Sequence, residues 1–453
     1  MRAFLLVLLT ATAAVAQSSP VPQSNDESLD VYTEHPRLFL TAQRLKLLKR
    51  ERERRTTRWL QIETLMTGKA VMPEPGFASA LYYQVTSDRQ YATQAIRWAL
   101  GSGSDLRQLA LVFDWCQDAL TEPQSKDLAA KLVKSITASE RSQGVPAVRD
   151  RMLAAIALAG HRPDVSKRVI EWVIGSWWRG QITAGLKNGR DLVPRDTVYA
   201  LFEILHAVRD SVNIDLRDSV PGFFKGLPIF HLVSYYPASF PAAESEYHIP
   251  ATKVVPPEPD LAQAALSRAA ELAMVAYDNN APESQILQGW LMHDNFMMRG
   301  TFGVTYEFLW ANPYQPGLSY YLTPLVFHDD LFGRLFIRSS WEENAKWLGY
   351  FDRQLQVFDE GKPTILNPQL TFEPIALPEA VVLSANYARK FKITIQDGES
   401  VFVVALKPRQ PYEIEVDGEE MREEWTDPGG ILSLQLPPKV AVGVRMREAS
   451  KSR

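Results

Sequence analysis

The sequence predicts an α+β multidomain chain: an N-terminal (α/α) toroid of helix hairpins followed by a small antiparallel β-sandwich-like domain. Three observations carry that expectation. Apolar residues recur at three- and four-residue spacing from residue 74 to about residue 310. From about residue 332 the period drops toward two. Gly and Pro punctuate the helical segments, and Asp397-Gly398, Asp417-Gly418 and Pro428-Gly429-Gly430 punctuate the strand-like ones. No strict repeat accompanies the helix hairpins, which favours a closed ring over an open solenoid. The 453 residues are 46% hydrophobic and 23% charged, unlike a disordered chain or a membrane bundle. A net charge of −4 gives a nucleic-acid partner no support.

The elements follow in order. Residues 1–16 combine Arg2, the apolar run Phe4 to Leu9 and the small-x-small site Ala14-Val15-Ala16. This is the pattern of a signal peptide cut after Ala16, so a secreted or periplasmic protein is expected. Losing Arg2 lowers the net charge by one, to −5. No later segment reaches about 18 uninterrupted apolar residues, so no membrane span is expected. Residues 17–32 read as a flexible leader, 33–331 as the toroid and 332–449 as the sheet domain. The mixed-sign run Lys49 to Arg55 fits the solvated face of a helix. Segments 77–86, 89–101, 106–120, 123–137 and 148–160 are helical by spacing, with N-caps at Asp105 and at Thr121 or Ser125. Further helices are expected at 165–180, 197–210, 261–278 and 292–311. The lone Cys116 cannot close an intramolecular disulfide, and its apolar helix predicts burial.

Familiar catalytic signatures are absent: no Gly-rich phosphate loop, no H-E-x-x-H and no G-x-S-x-G. The seven His residues (35, 161, 206, 231, 248, 293 and 328) show no paired metal-ligand spacing. Neither a metal nor another cofactor is expected.

Three polar-aromatic stretches are the candidate site. Residues 187–199 bring Asn188, Arg190, Asp191, Arg195, Asp196 and Tyr199 together, with Asp196 alternatively a helix N-cap. Residues 234–250 form a long Pro-punctuated loop carrying Tyr235, Tyr236, Glu244, Glu246, Tyr247 and His248. Residues 289–330 carry His293, Asp294, Asn295, Arg299 and Tyr306, with 295, 299 and 306 near one helical stripe. The pairs Trp177-Trp178, Tyr235-Tyr236 and Tyr320-Tyr321 offer rings for stacking on the C–H face of a sugar, a core position being the alternative for the tryptophans.

Three segments resemble the heparinase II/III-like group of polysaccharide lyases. EHPRLFLTAQRLKLLK (34–49) looks like that group's opening strand and first helix. LALVFDWCQDALTEPQSKDLA (109–129) looks like its helix-turn-helix with an aromatic-Asp-Trp centre, and SSWEENAKWLGY (339–350) like its entry into the sheet domain. The resemblance touches most of residues 33–352. It implies a toroid-plus-sheet protein acting on an acidic polysaccharide or oligosaccharide by β-elimination at a uronate. An Asn, Arg or His neutralises the carboxylate, and a Tyr or His moves the protons. By position, the resemblance assigns catalysis to Asn188, Tyr199, His248 and His293. Arg190, Arg195, Tyr235, Tyr236, Tyr247, Asn295, Arg299 and Trp178 become substrate-binding residues. A local basic cleft at Lys187, Arg190 and Arg195 would hold the polyanion despite the net charge.

One departure stands out. Where the group carries a His-x-His-x-Asp stretch, this chain reads WLGYFDRQLQVFDEGKPTIL (347–366), without His. A non-catalytic glycan-binding or structural relative is therefore a second expectation. A toroid glycoside hydrolase using Asp191, Asp196, Glu244 and Glu246 is a third.

Overall fold

The computed structural model describes residues 29–243, 246–294, 296, 298–419 and 421–449. The expected signal peptide, residues 17–28 of the leader, Glu244 and Asn295 lie outside the described residues. The order of elements is helices first and sheets second, as expected.

The helical part opens with α1 (Ala42–Glu53) and α2 (Thr57–Thr67), capped by the hydroxyls of Thr41 and Thr56. Of the charge run in α1, Glu51 is the buried exception. It receives Arg58 at 2.9 Å and the Thr56 hydroxyl at 2.8 Å. There follow α3 (Pro75–Thr86), α4 (Arg89–Leu100), α5 (Leu106–Trp115), α6 (Glu122–Ser139), α7 (Val145–Ala157) and α8 (Pro163–Glu171). Asp105 caps α5, and Thr121 caps α6 in a reciprocal capping box with Gln124. The helix expected at 165–180 is present within a continuous helical run: α8 passes without a break into a π-helical stretch, Trp172–Ile182, and on into α9 (Thr183–Lys187). Next come α10 (Val198–Val212) and α11 (Pro221–Val233). Thr197, not Asp196, stands at the N-cap of α10; Asp196 lies in the preceding 3-10 turn.

The stretch expected to be a loop is a β-hairpin, β1 (Tyr235–Pro241) and β2 (Glu246–Pro250). Its register shifts between Tyr235 and Ser239, which absorbs Pro237 and its missing N–H. After it run α12 (Leu261–Tyr277), α13 (Pro282–His293) and α14 (Gly300–Trp310). The single helix expected over 292–311 is thus two helices with a break. Phe296 takes a φ of 57°, which an α-helix cannot contain.

The inner ring runs α3, α5, α7, α10, α12 and α14, each packed on the next. It closes where Phe308 of α14 meets Trp59 of α2, at 5.7 Å between ring centroids, and Tyr306 meets Phe77 of α3 at 5.6 Å. Two segments of the family resemblance touch here. Asp114 of α5 accepts the backbone N–H groups of Arg37 and Leu38, and its other oxygen lies 2.6 Å from His35 Nδ1. The Trp115 indole donates to the Leu38 carbonyl. Cys116 is fully buried among them.

The sheet part forms three stacked layers. The first sheet is a meander of β3 (Val326–Asp329), β4 (Arg334–Arg338), β5 (Trp347–Phe351), β6 (Gln354–Asp359) and β7 (Lys362–Leu366). The middle sheet uses β8 (Ile375–Leu377), β9 (Ala380–Ser384), β11 (Ser400–Val404) and β14 (Leu432–Leu434). The outer sheet uses β10 (Lys390–Ile395), β12 (Pro411–Val416), β13 (Arg422–Trp425) and β15 (Lys439–Glu448). Among the described residues pairing is antiparallel except between β9 and β11. The middle sheet is covered on both faces: Ala380 and Val382 meet the first sheet, Val381 and Leu383 the outer one. Hence β9 and β11 carry consecutive apolar residues, Ala380 to Leu383 and Val401 to Val404, rather than an alternating pattern. On the first sheet, Phe336, Trp347 and Phe358 face the helical part and pack on Val233 and Tyr236. The Trp347 indole seals this seam by donating to the Val233 carbonyl at 2.8 Å. Among the described residues no helix is long and apolar enough to cross a membrane.

Candidate active site

Two charge clusters lie inside the ring of helices. The first fills the hub. Arg107 of α5 meets Glu203 of α10 at 2.7 Å and Glu74, the N-cap of α3, at 3.0 Å. Arg149 of α7 reaches the other Glu203 oxygen at 2.5 Å. Tyr306 donates to Glu74, Tyr199 donates to Glu203 at 2.8 Å, and the Trp310 indole donates to the Tyr199 oxygen at 3.1 Å. Burial alone would raise the Glu203 carboxyl; Arg107 and Arg149 outweigh it and hold it below its ordinary value. No buried side-chain nitrogen or oxygen of these seven residues lacks a partner.

Tyr199 therefore sits in a closed network. Burial, reinforced by the Glu203 charge, pushes its phenol well above 10. A tyrosine base needs the opposite shift.

The second cluster lies under the hairpin. Glu271 of α12 receives the Tyr235 hydroxyl at 2.7 Å, His231 Nδ1 at 3.3 Å and Arg195 at 3.2 Å. Burial, with Arg195 adding to it, lowers the His231 imidazole to about 4, so it is neutral at pH 7. One turn earlier, Arg268 lies 3.6 Å from Glu271 and donates to Asp294 at 2.6 Å. The same Asp294 oxygen lies 3.0 Å from His248 Nε2. Burial works against the Asp294 charge; Arg268 and His248 overcome it and hold the carboxyl far below the usual range. Trp290 backs the group, with its ring 4.9 Å from His248 and 4.4 Å from the Arg268 guanidinium. This cluster is not fully satisfied: His231 Nε2, Arg268 Nη1 and Glu271 Oε2 are buried without partners.

A crevice of about 10 Å³ opens at its edge, lined by Tyr247, His248, Arg268, Met298, Arg299 and Gly303 among others. That is room for roughly one water molecule. On the hairpin's other side lies a groove of about 860 Å³. It runs between Tyr236, Phe240 and Ile249, the 252–260 segment, and Phe358 and Lys362 of the first sheet.

The structure brings together His248, Tyr247, Arg299 and, one layer deeper, Tyr235 and Arg195. It does not add Asn188 or His293. Asn188 is exposed at the end of α9, where its carbonyl accepts Arg409 of the sheet part at 3.2 Å. His293 is exposed with its ring against Tyr320. Arg190 is exposed, and Arg195 is committed to Glu271, Ser267 and the 231–234 turn, so the expected basic cleft with Lys187 does not form. Trp178 has no exposed face; its indole donates to Leu216 and Ser219. Tyr235 and Tyr236 are buried too, the latter donating to Gln356. Of the paired stacking candidates, Tyr321 keeps its ring half exposed. The hydrolase carboxylates Asp191 and Asp196 are exposed, with Asp191 beside Arg334 at 3.7 Å. Among the described residues no group of three or more His, Cys, Asp or Glu side chains is placed to hold a metal ion.

The residues not anticipated are Arg268, Glu271 and Trp290. Their sequence signal is slight: Arg268 and Glu271, three residues apart, share one face of an otherwise Ala-rich, apolar helix (LAQAALSRAAELAMVAY), and the structure buries that face. No family model matches this chain, and no curated protein matches it.

Proposed function

We propose that this chain is an exported lyase-like protein that performs β-elimination on a uronate-containing polysaccharide, with His248 as its base. One observation carries the reading. His248 is oriented by an ionised Asp294 in the same crevice as two arginines and a tyrosine. Asp294 holds Nε2, so proton exchange with substrate falls to Nδ1. The exposed Arg299 meets the uronate carboxylate and acidifies the C5 proton. His248 removes that proton, the C4–O bond breaks as the C4–C5 double bond forms, and Tyr247 protonates the leaving oxygen. The crevice holds no more than a water as it stands, so this reading requires the hairpin to lift for a sugar ring to enter.

A second reading, glycan binding without catalysis, draws on the sealed Tyr199 network and the absence of His from 347–366. One assay separates the two. The purified chain is incubated with polyglucuronate, polymannuronate, polygalacturonate and sulfated glycosaminoglycans, and ultraviolet absorbance of an unsaturated uronate is followed. The lyase reading expects a steady rise with at least one polymer. Retardation in an affinity gel without any rise supports the binder, and new reducing ends without absorbance support a hydrolase.

A further inference from the structure

At the carboxyl-terminal ends of the inner helices lies a cavity of about 700 Å³; the Trp310 ring, whose indole N–H closes the Glu203 network, forms part of its wall, and the hairpin cluster has no part in it. Its walls are the first turns of α1, the carboxyl ends of α10, α12 and α14, and the segment 312–315. Four cations line it, Arg44, Lys46, Arg50 and Arg209, against one acid, Asp210. Arg209 is already engaged by Asp210, the Tyr277 carbonyl and His206. Arg44 lies over the Trp310 ring at 4.3 Å, and Arg50 over Tyr314 at 5.1 Å. Burial lowers the Arg44 guanidinium only to about 10, so it stays charged at neutral pH.

Three of the lining residues each carry a buried polar atom without a hydrogen-bond partner: Arg44 Nη1, Gln315 Nε2 and Asp210 Oδ2. Gln315 is 7% exposed, and the Asp210 side chain 9%. Each such atom carries an uncompensated desolvation cost until something pairs with it. Two donors and one acceptor around a single cavity are complementary to a ligand that brings both kinds of group. The first-turn N–H groups of α1 add the positive end of a helix dipole. The carboxyl ends of three helices and Asp210 add negative potential on the other side. A single negative charge flanked by hydroxyl groups suits that field better than a multiply charged anion.

We propose that this cavity is a second binding site, for a small hydroxylated carboxylate of the sugar-acid class. Arg44 and the α1 amino terminus take the carboxylate, Gln315 donates to a hydroxyl oxygen, and Asp210 accepts from a hydroxyl. The volume lies within the range of small-ligand sites. The assignment is independent of the reading for the hairpin site.

Titration calorimetry of the full chain with glucuronate tests it. Saturable binding is expected at a Kd on the order of a millimolar. Glucose should not bind, and inorganic sulfate should compete poorly. Arg44→Gln should weaken binding about tenfold or more. Should that variant fail to fold, the exposed-rim double variant Lys46→Gln/Arg50→Gln should still weaken binding several-fold and flatten its salt dependence. His248→Ala should bind as the wild type does. The proposal is overturned by absent binding, by equal binding of glucose, by sulfate competing as well as glucuronate, or by indifference to the cavity substitutions. Loss of binding in His248→Ala overturns it too, by moving the ligand to the hairpin crevice.

Discussion

The two charge clusters inside the ring use similar residue types, yet they are finished differently. Around Glu203, two arginines, a tyrosine and an indole satisfy every buried polar atom. Around Glu271, one histidine nitrogen, one arginine nitrogen and one carboxylate oxygen are left over, and a crevice opens at the edge. A saturated buried network holds helices in register and has nothing to offer a ligand. An unsaturated one beside an opening keeps groups in reserve. The difference teaches that residue type alone did not mark the site: Tyr199 and His248 looked equally suited, and their surroundings part them.

The largest expected effect breaks the saturated side. Glu203→Ala leaves Arg107 and Arg149 without their shared carboxylate and should cost about 3–5 kcal/mol in urea unfolding. A loss under about 1 kcal/mol would show that the hub network does not hold the ring.

A smaller effect sharpens the unsaturated side. Glu307 of α14 accepts the Met298 N–H at 2.9 Å, beside the break that carries Arg299. Burial raises its carboxyl from 4.5 to about 7. A carboxyl raised by folding contributes stability below its unfolded pKa and loses it as pH rises through the folded one. Between about pH 4.5 and 7 the protein should therefore lose up to about 3 kcal/mol relative to Glu307→Gln, which keeps the acceptor and cannot ionise. Unfolding free energies of the two proteins that run parallel across this window would contradict the assignment.

Much of the scaffold was legible in the sequence because its signals are local. Asp105 and Thr121 each bond a backbone N–H three residues on, so spacing and cap chemistry announce them. The switch to strands is equally local, although β3 already pairs at Val326. What escaped is made by residues far apart. Arg107 and Glu203 are separated by 96 residues, and nothing near either names the other. The hairpin was hidden because its prolines mimic a loop, and tertiary burial of Tyr235 and Tyr236 decided otherwise. The break after His293 follows from Asp294 being drawn to Arg268, a contact no helical period contains. Trp178 illustrates the converse: an indole in an apolar segment was core, as its surroundings in sequence allowed.

The central claim is that His248, held by Asp294, moves the proton while Tyr199 is structural. Initial rates of unsaturated-uronate formation by His248→Ala and Tyr199→Phe, measured side by side on a polymer that the wild type cleaves, test it most directly. The account predicts a loss of about 10²–10⁴-fold for His248→Ala with the fold intact. For Tyr199→Phe it predicts a stability cost of about 1 kcal/mol and a rate within a few-fold of wild type. A fully folded Tyr199→Phe without activity, beside an active His248→Ala, would contradict it.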